Sequence, residues 1–239
     1  MNTTTPVKQT NVKSGAAAGV RRYLIKNIVG ALFMVAILLI AAGRIDWIMG
    51  WVYVGLLTLG SVVSVLFTDP QLLSEERDIG KKGAKNWDRL LVSIHGLVSF
   101  ATMIVAALDL RYGWLPEVSL AWQIVALAAY SLGWALHLWA MAVNRFFSKV
   151  IRIQTERGHT VVTEGPYRYV RHPGYAGAIV WNLGTAVALG SVWALIPGVL
   201  GALLLILRTA LEDRTLQEEL QGYKEYTQKV RYRLLLGVW

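Results

Sequence analysis

Six apolar runs divide the chain, at residues 28–43, 47–67, 90–110, 120–143, 175–189 and 192–207. Several reach the roughly 20 residues that a helix needs to cross a hydrocarbon core of about 30 Å. The last two are shorter, and only Gly190 and Ser191 part them, which predicts an antiparallel helical hairpin. Pro197 lies early in the final run, where a kink is expected. Beyond Leu207 the pattern changes to "RTALEDRTLQEELQGYKEYTQKVRYR", with Leu211, Leu216 and Leu220 near helical spacing, so an amphipathic helix broken near Gly222 is expected. The predicted fold is an all-α, polytopic membrane helix bundle of about six transmembrane helices with a cytoplasmic C-terminal amphipathic helix. Three regions follow: a disordered basic tail over 1–27, four transmembrane helices over 28–143, and a core over 144–239.

Composition supports a membrane protein. The chain is 55% hydrophobic, with a mean hydropathy of +0.45 and 10 Trp among 239 residues. Its formal charge of +9 would suggest nucleic acid in a soluble protein, but the cations sit between the apolar runs. Lys8, Lys13, Arg21, Arg22 and Lys26 precede the first run. Arg77, Lys81, Lys82, Lys85 and Arg89 follow the second, and Arg145, Lys149, Arg152, Arg157, Arg168 and Arg171 follow the fourth. The alternate connections hold Arg44 alone, Arg111 alone, or no charge. The bias of Lys and Arg to cytoplasmic loops places both termini and the charged loops in the cytoplasm. The opening segment has no short apolar core with a cleavage site, so it does not read as a signal peptide.

Absence of cysteine excludes disulfides and thiolate chemistry, and no Gly-rich phosphate-binding signature is present. With only four scattered histidines a metal site is not expected. His95 and His137 fall inside predicted spans, where helix-to-helix hydrogen bonding is the expected role.

Candidate chemistry concentrates in "HTVVTEGPYRYVRHPGYAG", His159 to Gly177. Gly165 and Pro166 predict a turn, and Pro173 predicts a helix starting just after Arg171 and His172. Free amides at such a helix start, with an Arg and a His beside them, suit a carboxylate or phosphate; an interfacial anchor is the plainer alternative. Arg208, Glu212 and Asp213 form a second cluster, for which an intrahelical Arg208–Glu212 pair is the plain reading. The hairpin brings both clusters to one side of the membrane. Together they suit a ligand with a carboxylate, an amino group and sugar hydroxyls. Tyr167, Tyr169, Tyr175, Tyr223 and Tyr226 could offer ring faces, or equally form an anchoring belt. Asn144 and Asn182 are polar residues at span positions, and Asn182 could line a substrate crevice.

These two blocks resemble the isoprenylcysteine carboxyl methyltransferase family, which is related to membrane phospholipid methyltransferases. The first follows its His-x-x-Val-Thr-x-Gly-x-Tyr-x-x-x-Arg-His-Pro-x-Tyr-x-Gly signature; the second follows its tail of Arg, an acidic pair, Leu, Gly, Tyr and basic residues. The similarity covers about Asn144 to Arg233. It implies an integral-membrane methyltransferase using S-adenosylmethionine, with a lipophilic or small-molecule methyl acceptor. His159, Gly165, Tyr167, Arg171, His172, Pro173 and Tyr175 would then shape the cofactor pocket from one side, and Arg208, Glu212 and Asp213 from the other. Arg171 and Glu212 would be catalytic, with Arg171 and His172 holding the methionine carboxylate and Glu212 the ribose or amino group. Asp213 departs from the usual Glu-Glu pair, and Leu235 and Leu236 stand where the family often has proline. A membrane sterol-type reductase using NADPH is the alternative enzyme, though "HPGYAGAIV" lacks the Asn-Tyr-x-Gly-Glu continuation usual there; a non-enzymatic scaffold is the third reading.

Overall fold

A computed structural model describes residues 7–67, 83–114, 116 and 118–239, with the side chains of 7–20, 22–24, 66 and 67 outside that description. Arg77, Lys81 and Lys82 therefore lie outside the described residues. Among the described residues there are seven α-helices: α1 (Val7–Ala42), α2 (Ile48–Phe67), α3 (Asn86–Tyr112), α4 (Leu120–Val143), α5 (Pro173–Ala188), α6 (Leu195–Glu219) and α7 (Tyr223–Lys229). Among the described residues there is no β-strand.

Among the described residues five helices, α1, α2, α3, α4 and α6, are long and apolar enough to cross a membrane. The fifth apolar run forms α5, whose 16 residues span about 24 Å at 1.5 Å per residue. The segment expected to be a disordered tail is helical from Val7 on, as part of α1; its "GAAAG" stretch contains nothing worse than isolated glycines. Pro197 is the third residue of α6, where its missing amide would have no intrahelical partner in any case.

Two features position the polar cluster at the open end of the α5–α6 hairpin. Helices α4 and α5 meet backbone to backbone: a Cβ placed on Gly177 would fall 2.2 Å from the Gly133 carbonyl oxygen and 3.0 Å from the His137 amide nitrogen. Small residues at such a crossing let van der Waals packing replace the hydrophobic drive that lipid cannot provide. His137 Nδ1 lies 3.0 Å from the Gly174 carbonyl and anchors the start of α5. Between α5 and α6, Gly190 takes a φ of +85°, and Ser191 donates to the buried Asp109 at 2.6 Å while accepting from the Ala194 amide. This seals the hairpin at its far end. Gly222, with φ +82°, ends the run from α6 and turns α7 back toward the cluster.

Candidate active site

Asp213 is the centre of the site's scaffold. It is fully buried and receives both Arg171 Nε at 2.7 Å and Arg171 Nη2 at 3.0 Å. Tyr223 Oη donates to it at 3.1 Å, Gln217 Nε2 at 2.8 Å and Arg233 Nε at 2.9 Å, and His172 Nε2 lies 3.2 Å away. Burying a carboxylate is costly unless it is paired and hydrogen-bonded, and here six contacts serve that purpose. Arg171 spends its Nη1 protons on the carbonyls of Val230 and Arg231. The Arg171 and His172 amides donate to the carbonyls of Tyr232 and Arg233, both at 2.9 Å. These two amides, just ahead of the helix start, are thus engaged by the chain's own tail. Arg171 and Asp213 tie that tail down.

The remaining groups surround a cavity of about 390 Å³ at the mouth of the α5–α6 hairpin. Its polar wall is Glu212, whose Oε2 accepts from the Tyr175 hydroxyl at 2.6 Å. Arg208 does not pair with Glu212. It reaches across to α3, where its Nε meets the buried Asp88 at 2.7 Å, and its Nη2 donates to the Lys149 carbonyl. Asp88 also accepts from the Ile151 amide, so one buried carboxylate joins α3, α6 and the 144–162 loop. That loop forms the opposite wall. Phe146 and His159 stack with ring centres 4.4 Å apart, and Asn144 donates to the Tyr167 hydroxyl. The Gln154 amide donates to His159 Nδ1, leaving Nε2 to carry the proton of the neutral ring. Burial, reinforced by Arg152 and Arg157, holds His159 below its ordinary pKa, so it is a neutral donor. Burial likewise raises the Tyr167, Tyr223 and Tyr226 hydroxyls above the usual phenol range.

The structure gathers most of the residues expected from sequence around this cavity: His159, Tyr167, Arg171, His172, Tyr175, Arg208 and Glu212 all line it. Gly165, Pro173 and Asp213 do not. Gly165 adopts φ +55° at the start of a 3₁₀ turn against Val143, Pro173 is the first residue of α5, and Asp213 is enclosed by its partners. Asn182 lines a second cavity of about 450 Å³, deeper among α2, α3, α4 and α5, where its Nδ2 lies 3.3 Å from His95 Nε2. Four residues, His137, Phe147, Lys149 and Trp181, line both cavities. His137 packs edge-on against Phe147 and Trp181, so an aromatic partition separates the two spaces.

The site, with its flanking walls, falls largely within a segment that comparison with known proteins identifies. Residues 124–218 match the isoprenylcysteine carboxyl methyltransferase (ICMT) family. The chain is 34% identical over 125 residues to a probable protein-S-isoprenylcysteine O-methyltransferase of Oryza sativa subsp. indica, a match covering 48% of the chain and 63% of the rice protein. It is 39% identical over 71 residues to the Schizosaccharomyces pombe protein-S-isoprenylcysteine O-methyltransferase, covering 29% and 30% of the two chains. With the Homo sapiens protein of the same name it shares 35% over 91 residues, covering 35% and 30%. The chain therefore spans less than two thirds of the length of these relatives. The ICMT segment contains α5, most of α6 and the 144–162 loop; α1, α2 and α3 lie outside it.

Sequence reasoning missed Arg152, Phe146, Phe147 and Trp181 as cavity residues. Arg152 carries a readable signal, a cation between Ile151 and Ile153, but it is equally accounted for by the charge bias of the loop.

Proposed function

We propose that the chain is an integral-membrane methyltransferase that takes its methyl group from S-adenosylmethionine and delivers it to a lipophilic acceptor. The observation that carries this reading is a pair of cavities that meet at one aromatic partition, His137, Phe147 and Trp181, and that partition lies within the ICMT segment. The smaller, at the α5–α6 mouth, suits the donor; the deeper, lined by Leu57, Met103, Trp134 and Leu138, suits an apolar acceptor. A volume of about 390 Å³ falls in the range of small-molecule sites. The donor set fits as well: Glu212 offers an acceptor for ribose hydroxyls or an ammonium, His159 offers a donor, and Phe146, Tyr175 and Tyr223 offer faces.

When bound, S-adenosylmethionine supplies an electrophilic methyl on a sulfonium that is already a good leaving group. The protein's own task is alignment and exclusion of water, which together can lower a barrier by several kcal/mol. Tyr175 holds Glu212 in place, the tail closes one side, and the partition of His137, Phe147 and Trp181 sets where the two ligands meet. A carboxylate acceptor needs no general base there. Asn182 touches the acceptor in the deeper cavity. We further propose six spans, with α5 as the sixth, both termini and the donor cavity in the cytoplasm, and the charged end of α6 with α7 as a cytoplasmic cap. The family match favours this over nicotinamide-dependent reduction.

Calorimetry with S-adenosylhomocysteine on detergent-purified protein tests the reading. Wild type should bind and Glu212→Gln should bind roughly 10-fold more weakly, the scale of one hydrogen bond to a charged group. Retention of NADPH with no response to the nucleoside would refute methyl transfer.

A further inference from the structure

Arg152 stands out among the described residues. Its side chain is only 8% exposed, and its one ion pair runs from Nη1 to Glu156, which is 54% exposed. Its Nε and Nη2 are buried and make no hydrogen bond to the described residues. A guanidinium carries five donors in a planar fork, with Nε and Nη2 arranged to meet both oxygens of a carboxylate. Leaving three of the five, on Nε and Nη2, buried and unmatched costs stability, and native proteins rarely keep such groups without a use. Arg152 lines the donor cavity and is absent from the lining of the deeper one.

Its surroundings point to an anion. Arg157 and His159 flank it on the same loop: Arg157 donates to Gln154 Oε1, and His159 stacks on Phe146. The nearest acid, Glu156, is already paired on the outer side. The other guanidinium groups lining the cavity are committed: Arg171 to Asp213 and two tail carbonyls, Arg208 to Asp88 and the Lys149 carbonyl. The cavity thus has one acidic wall at Glu212 and one open cationic fork at Arg152.

Resting on the methyl-donor reading above, we infer that Arg152 is the receptor for the carboxylate of that donor, the role sequence reasoning assigned to Arg171. With Glu212 on the ribose hydroxyls and Arg152 on the carboxylate, the two side chains hold opposite ends of the donor. They fix its direction in the cavity before any acceptor enters.

The experiment crosses residue with ligand. Binding of S-adenosylmethionine and of its decarboxylated analogue, which lacks only the carboxylate, is measured by calorimetry on wild type and Arg152→Gln, with thermal melting of both unliganded proteins. Wild type should prefer the intact donor by roughly 10- to 100-fold, and Arg152→Gln should lose that preference while binding the analogue within about twofold of wild type. The unliganded variant should melt at or above the wild-type temperature, because its orphaned donors are gone. Equal weakening of both ligands with a lowered melting temperature would overturn the assignment in favour of a structural role. A defect seen only in the KM of a carboxylate acceptor would overturn it in favour of the acceptor's carboxylate. Failure of wild type to bind either nucleoside would sink the methyl-donor reading, and this assignment with it.

Discussion

Replacing Asp213 by Asn should release the C-terminal tail. The carboxylate receives six close contacts, from Arg171 (two), His172, Gln217, Tyr223 and Arg233, in a site with no solvent exposure. An amide keeps one acceptor oxygen and turns two N–H groups toward donors, so several partners lose their match and the Arg171 charge is left uncompensated. Arg171 is 6% exposed, so its pair is a buried one, and breaking such a pair costs roughly 3–5 kcal/mol. Arg233 is 30% exposed and adds little. The cost falls on the tail because Arg171 also holds the Val230 and Arg231 carbonyls. At about 1.4 kcal/mol per tenfold, the tail-open population should rise by roughly two orders of magnitude or more. Limited trypsin digestion in detergent, following cleavage after Lys224, Lys229 and Arg231 by mass, reads that population when reclosing is fast. A cleavage rate within threefold of wild type would refute the reasoning. The paired change Asp213→Leu with Arg171→Met should restore much of the protection, since apolar replacement of a whole buried pair is often neutral.

Gly177→Ala should lower the melting temperature and weaken nucleoside binding together, because its new methyl meets the Gly133 and His137 backbones and no rotamer change can relieve it; the cost lies at or above the upper end of about 1–3 kcal/mol. Gly184→Ala, whose nearest contact would be 3.2 Å, should be milder, and equal melting of the two variants would count against the backbone-contact argument. His159 has its folded pKa depressed from 6.5 by burial and nearby arginines, so the unfolded chain takes up its proton first. Stability should therefore fall as pH drops below about 6.5 and level off below the depressed value. His159→Gln should flatten that slope in denaturation measured across the window, and an unchanged slope would remove His159 from the account. Asn182→Leu should raise the acceptor KM several-fold while leaving the S-adenosylhomocysteine Kd within about twofold, because Asn182 lines the deeper cavity alone; a shift in the nucleoside Kd instead would place it in the wrong cavity.

Hydropathy patterning alone marked out every apolar helix among the described residues, since a helix in lipid must satisfy its backbone within one segment and its length and composition are local properties. The run at 120–143 became α4 with the same limits. Spacing in His159 to Gly177 and at Arg208, Glu212 and Asp213 likewise brought the right segments to one cavity, because a tight hairpin leaves its two open ends nowhere else to go. Which of those polar groups face a ligand was not local. Arg171, Arg208 and Asp213 look equally available along the chain, yet Asp88, 120 residues from Arg208, and the tail carbonyls near Val230 absorb them. Arg152 looks like one more loop cation until the fold buries it without a match. Charge type and position are written in the sequence. Whether a charge is spent on the scaffold or kept for a ligand depends on partners far away in the chain, and only packing decides which of them arrive.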